Sequence, residues 1–164
     1  MRLSIRAYRT AIVERRLRGI GDNAMNAQEA FSEIADYMFG AIEKVFDAEG
    51  RRAGPGWRKL TVDWLYRKVM AGGDSRILHD THALRDSMTI RGDENQILEI
   101  TDHNLRLGST LPYGERHHYG GGDMPARPFA DRFTQRDVKN MKRILVRHVL
   151  AQRSARKASR LRAS

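Results

Sequence analysis

Between residues 26 and 49, Phe31, Ile34, Ala35, Met38, Ile42, Val45 and Phe46 recur at three-to-four spacing. That period predicts a helix with one buried stripe. Asn26 stands at the N-cap position, with Glu29 three residues on as a capping-box partner. The acids Glu29, Glu33, Asp36, Glu43, Asp47 and Glu49 fall largely off the stripe, and Gly50 ends it before the RRAGPG loop. A second helix is predicted from Thr61, its cap, with Val62, Leu65, Tyr66 and Val69 inward and Leu60 and Trp64 extending that side. The AGGDS run breaks it.

From 77 to 110 the period changes. Leu84, Met88 and Ile90, then Leu98 and Ile100, then Leu105 and Leu107 mark three short segments. GDEN and DHN separate them as turn clusters, so a three-stranded antiparallel meander is expected. Residues 111–130 hold three of the four prolines and read as a long loop with a short helix near 113–119. A last helix over 134–150 starts with the T-x-x-D box of Thr134 and Asp137, with Phe133 stapling onto Val138. Its buried stripe is Met141, Ile144, Leu145 and Val149. Beyond 152 the only apolar side chain larger than Ala is Leu161, so fraying is expected. A short strand at 2–8 and a short helix at 10–19 complete the N-terminal part. The pattern predicts an α+β domain: N-terminal helices, a small antiparallel sheet of three to four strands, and a packed C-terminal helix. The expected boundaries are one domain over 1–150 and a basic tail over 151–164.

Charge sharpens this division. The chain has 164 residues and a net charge of +10. Residues 136–164 carry ten basic side chains and one acid, so nearly all the excess lies at the C-terminus. Residues 1–20 are basic and residues 21–49 acidic, and such neighbours can pair within or between subunits. The basic end has three readings: contact with DNA phosphates, contact with an acidic protein face, or a solvated helix end. The residues expected to make the contact are Arg153, Arg156, Lys157, Arg160 and Arg162.

Candidate chemistry is sparse. There is no cysteine, so disulfides and zinc-thiolate sites are excluded. No apolar run reaches the length of a membrane span, and the basic N-terminus lacks the apolar stretch of a secretory signal. Six histidines are present, and His79, His82, His117 and His118 with Asp80 and Asp123 would need their loops to meet to hold a metal. Their spacing matches no ligand signature. No nucleophile elbow or phosphate loop occurs, so no catalytic, cofactor or metal site is expected and the chain reads as a non-enzyme. Trp57 and Trp64, seven apart, read as core aromatics rather than an exposed face.

Three blocks are less generic. They are Gly56-Trp57-Arg58-Lys59-Leu60-Thr61, then Ile77 to Met88 (ILHDTHALRDSM), then Pro112 to Gly121 followed by Met124-Pro125-Ala126-Arg127-Pro128-Phe129. In this order they resemble the phage virion morphogenesis (tail completion) family of tailed phages and prophages, Mu-like ones included. The resemblance covers about residues 50–150. His82 stands where that family prefers Gly, and a β-carbon there disfavours a left-handed turn. Gly114 and His118 are further departures, and residues 151–164 extend past the usual end.

The resemblance implies a structural virion protein of the neck, built in the host cytoplasm and carried in the particle. It would complete the tail and join head to tail as a homo-oligomeric, six-fold ring. Its neighbours would be neck, connector or tail tube proteins, with DNA passing through the lumen and no membrane contact. The interface residues so implied are Trp57, Tyr113, His117, Pro125, Arg127, Pro128 and Phe129. For the last stretch an alternative stands equal: Phe129 fills the subunit's own core and Arg127 pairs with Asp80 or Asp131. A small basic nucleic-acid-binding protein explains the charge but not the three blocks.

Overall fold

The structure, a computed structural model, describes residues 27–162, with side chains through Ala151. The strand expected at 2–8, the helix at 10–19 and the Asn26 cap lie outside the described residues. The elements run α1 (Gln28–Asp47), a 3-10 turn (Arg51–Ala53), α2 (Val62–Met70), α3 (Ala83–Thr89), β1 (Gln96–Ile100), β2 (Leu105–Ser109), α4 (Tyr113–Tyr119) and α5 (Gln135–Arg162). The class is α+β, as expected, with two strands among the described residues rather than three or four.

Helix α1 is the spine. Every residue of its predicted stripe is buried, and Ala30, Phe39 and Ala41 join it. Buried apolar side chains of this size contribute about 1.5–3 kcal/mol each. The N-cap position belongs to Ala27, whose backbone N–H donates to the Asp102 carbonyl at 3.2 Å. The start of the helix is therefore tied to the β1–β2 turn by main chain. At the other end Gly50 takes φ 82°, and a β-carbon there would lie 2.5 Å from the Trp57 ring. Glycine is needed at this turn for both reasons.

The first segment of the expected meander is the helix α3. Leu84 and Met88 are four apart, and with Ser87 they form one buried helical face against α1. A period of two was the wrong reading of a helical pair. The remaining segments do form a hairpin, with Leu98 opposite Leu107 and Ile100 opposite Leu105. Leu105 and Leu107 enter the core.

Helix α2 begins where expected. Thr61 is extended, and its Oγ1 accepts from the Trp64 backbone N–H at 3.4 Å. Because that cap is exposed, Thr61→Ala should lower stability by only about 0.5–1 kcal/mol in thermal unfolding. The burial expected for this helix is not found. Val62 is 83% exposed and Trp64 60%, with Tyr66, Val69 and Met70 also exposed. No described element packs over that face; Leu60 alone of its neighbourhood packs against the core.

Helix α5 opens with the capping box. Thr134 N–H and Oγ1 donate to Asp137 Oδ2 at 2.7 and 2.6 Å, and Asp137 N–H donates back to Thr134 Oγ1 at 3.2 Å. Phe133 and Val138 both pack against the core. The helix continues to Arg162 rather than stopping at 150. Residues 151–162 contain no Gly or Pro and are rich in Ala, Arg and Lys, which favours propagation of the helix. Several acids of α1 are neutralised inside the subunit: Glu33 by Arg147, Asp36 by Arg91 and Glu43 by Arg85.

Candidate functional site

The three sequence blocks meet in space. Trp57, from the first, lies in the core against Phe46, with ring centroids 5.6 Å apart and planes at 83°. Its indole Nε1 donates to the Pro128 carbonyl at 3.0 Å. Phe129 follows into the same cluster, 5.5 Å from Phe46 and edge-on to His118 at 5.0 Å. The His118 Nδ1 accepts the Phe129 backbone N–H at 3.2 Å, which fixes the proton on the other ring nitrogen. The stretch from Pro125 to Phe129 is thus anchored by its backbone on both sides. One anchor is Trp57; the other is α4, where Arg127 N–H donates to the His117 carbonyl at 2.8 Å. At the turn before it, Gly120 has φ 79°, and a β-carbon would meet Ala126 N at 2.8 Å.

Beside this anchor runs a groove of about 590 Å³. One wall is α2, with Trp64, Arg67 and Lys68. The other is the 78–81 loop, with His117 and Arg127 at the base. A second recess of about 300 Å³ continues it past Leu78, Asp80 and Thr81 to Tyr113. Tyr113 and His117 share a face of α4, as their spacing predicts, with ring centroids 5.8 Å apart.

Arg127 is the unusual member. It is only 6% exposed, and its Nε has no hydrogen-bond partner. Burial alone pushes its guanidinium below the usual range, and no carboxylate among the described residues offsets this. The expected local pairing with Asp80 or Asp131 is absent; Asp131 stands instead 3.7 Å from His118 Nε2. His117 lies next to it with Nδ1 buried and unpartnered. Burial first, then the charges of Arg127 and Arg116, hold His117 below its ordinary value, so the ring is neutral near pH 7. A buried cation beside a neutral imidazole is arranged to receive an anion, and a carboxylate meets an arginine fork in two hydrogen bonds.

Of the residues singled out by sequence, Tyr113, His117 and Arg127 line the groove. Pro125 and Pro128 are half-buried but do not line it, while Trp57 and Phe129 fill the subunit's own core. Arg153, Arg156, Lys157, Arg160 and Arg162 fall on the last turns of α5, past the described side chains. Sequence reasoning missed Trp64, Arg67 and Lys68 as a wall, because an apolar helical face looks the same whether a partner covers it or not. The left-handed turn that His82 seemed to oppose is kept, with φ 62°. Histidine is among the non-glycine residues that tolerate this conformation.

Among curated proteins the chain is similar to the Mu-like prophage FluMu G protein 1 of Haemophilus influenzae. The two are 25% identical over 122 residues, which span 74% of this chain and 79% of that one. The similarity supports a Mu-like phage protein. No family model and no solved structure matches the chain.

Proposed function

We propose that this chain is a non-enzymatic structural protein of a tailed-phage virion. It assembles as a six-fold ring at the neck, completes the tail and joins it to the head. The observation that carries this reading is the pairing of an apolar helix, α2, that no described element covers, with a groove that holds a buried arginine offset by no described carboxylate. The three blocks that resemble the tail-completion family converge on that groove, and the Mu-like prophage relative agrees with a phage setting.

In a closed ring each subunit offers two different surfaces, one to each neighbour. The α2 face and groove form one of them. The apolar side chains supply area, and Arg127 takes a carboxylate from the adjoining subunit. Positions 153, 156, 157 and 160 recur at helical three-to-four spacing on α5, which makes a basic arm for DNA in the lumen or for an acidic neighbouring ring.

Trp64→Ser should leave the isolated subunit's stability within about 0.5 kcal/mol, since the side chain is exposed. It should weaken association by about 2 kcal/mol or more, as loss of a central aromatic anchor does. Arg127→Met should not destabilise the monomer, because it removes a buried charge that no described carboxylate offsets, yet it should weaken association similarly. Sedimentation velocity and negative-stain imaging read both variants, and complementation of a defective phage reads tail joining. A parent that stays monomeric and is absent from particles would sink the proposal. A monomer that shifts DNA in a salt-dependent way, lost on truncation at 152, would favour the nucleic-acid-binding alternative instead.

A further inference from the structure

The loop from α2 to α3 gathers an aspartate and two histidines beside the groove, His82 lining its second recess. We propose that Asp74, His79 and His82 bind a divalent transition-metal ion of the zinc class, which staples this loop to α1. One ligand atom from each residue lies within 4.8 Å of the other two. The histidines of α4 and Asp123 do not join them among the described residues.

His79 gives the site its direction. It is 1% exposed, and its Nε2 lies 3.4 Å from the Phe46 carbonyl on α1. A carbonyl only accepts, so Nε2 carries the proton and Nδ1 keeps a bare lone pair. That Nδ1 is buried and has no hydrogen-bond partner. A ligating histidine whose other N–H is held by a backbone carbonyl is the usual second-sphere arrangement of a metal site.

His82 supplies the second imidazole, its ring centroid 5.3 Å from that of His79. Leu78 and His82 bracket His79 at φ 60° and 62°, a tight loop in which residues 79 and 82 reach the same place. Asp74 supplies the carboxylate. Its Oδ1 accepts the Arg76 backbone N–H at 2.8 Å, and its Oδ2 accepts Arg76 Nε and Nη2 at 2.8 and 2.6 Å. A carboxylate offers about four lone-pair positions, so one on Oδ1 remains for a metal while Arg76 orients the group.

Two imidazoles and one carboxylate suit Zn²⁺, Co²⁺, Ni²⁺ or Cu²⁺ rather than Mg²⁺ or Ca²⁺. Water completes a tetrahedron at the fourth position. With bonds of about 2.0–2.1 Å, tetrahedral ligand atoms stand about 3.3 Å apart, so the half-buried Asp74 and His82 side chains close inward on binding. The same loop carries Leu78, Asp80 and Thr81 of the groove, so the ion would set the shape of that wall.

The test titrates Zn²⁺ into the untagged, chelator-stripped full chain by calorimetry, with Co²⁺ as a visible-absorption probe. One ion per chain, tetrahedral Co²⁺ bands and a rise in melting temperature are expected. His82→Gly is the informative variant, because glycine accepts the left-handed backbone and the fold is kept. It and Asp74→Asn should weaken Zn²⁺ by at least the roughly 10- to 100-fold that loss of an outer-sphere partner costs. Equal binding by parent and His82→Gly, or no binding by the parent, would overturn the proposal.

Discussion

Asp137→Ala should destabilise the fold by about 3–5 kcal/mol, the range for removing one partner of a buried ion pair. That is a large share of the roughly 5–15 kcal/mol that holds a domain together. The Asp137 side chain is 1% exposed and carries three structural roles. Arg52, in the 3-10 turn, grips it with two bonds of 2.7 Å each. Tyr37, on α1, donates to its Oδ1 at 2.7 Å and is itself held by Asn140 of α5 at 2.8 Å. Thr134 completes the helix cap through the same carboxylate. Alanine would leave Arg52, Tyr37 and the first turn of α5 without acceptors, each a further penalty.

The network also predicts an acid limit. Burial opposes the charged form of Asp137, but bonds from Arg52, Thr134 and Tyr37 outweigh it and hold the carboxyl well below the usual range. A depressed folded-state value means stability that is fully present above the unfolded carboxylate value of about 3.9 and lost as pH falls through the folded one. Urea midpoints measured from pH 6 downward should fall more steeply for the parent than for Asp137→Asn, which has already lost the charge. Parallel curves would show that Asp137 does not govern the acid limb.

Phe129→Ala should cost about 3–5 kcal/mol, as large-to-small changes in filled cores do. Phe129 is 1% exposed and touches Phe46 from α1 and His118 from α4, so its loss opens a cavity where three segments join. Phe129→Leu, which keeps most of the volume, should cost less than about 1.5 kcal/mol. Urea unfolding reads both, and equal midpoints for parent and Phe129→Ala would place the ring outside the cooperative core. The Trp57 bond to the Pro128 carbonyl would still hold the extended backbone, so the damage should concentrate in packing.

Much of this was legible in the chain. The α1 stripe was readable because seven apolar positions repeat one helical period with no competing pattern, and all seven are buried. The Thr134–Asp137 box was readable because capping depends on side chains three residues apart. The Tyr113–His117 pair followed from helix spacing, and the α+β class from the alternation of Leu98 and Ile100 with Leu105 and Leu107 across the DHN turn. Short segments failed where two periods fit the same residues. Leu84, Met88 and Ile90 suit a strand or a helix, and packing on α1 chose the helix. The extent of α5 failed for another reason: a polar segment without breakers can be helical without burying anything.

The sequence by itself determined which faces are apolar, the caps at Thr61 and Thr134, and that the excess charge sits at the C-terminal end, since these depend on neighbours a few residues apart. Tertiary structure alone decided which apolar faces are covered, so Trp57 is core and Trp64 is surface despite similar surroundings in the chain. It alone brought Arg127 and His117 together in the groove with no described carboxylate offsetting the arginine, and placed Asp74 beside His79 and His82. The physical reason is that burial and ligand geometry are set by pairs of residues far apart in sequence, whose meeting no local period records.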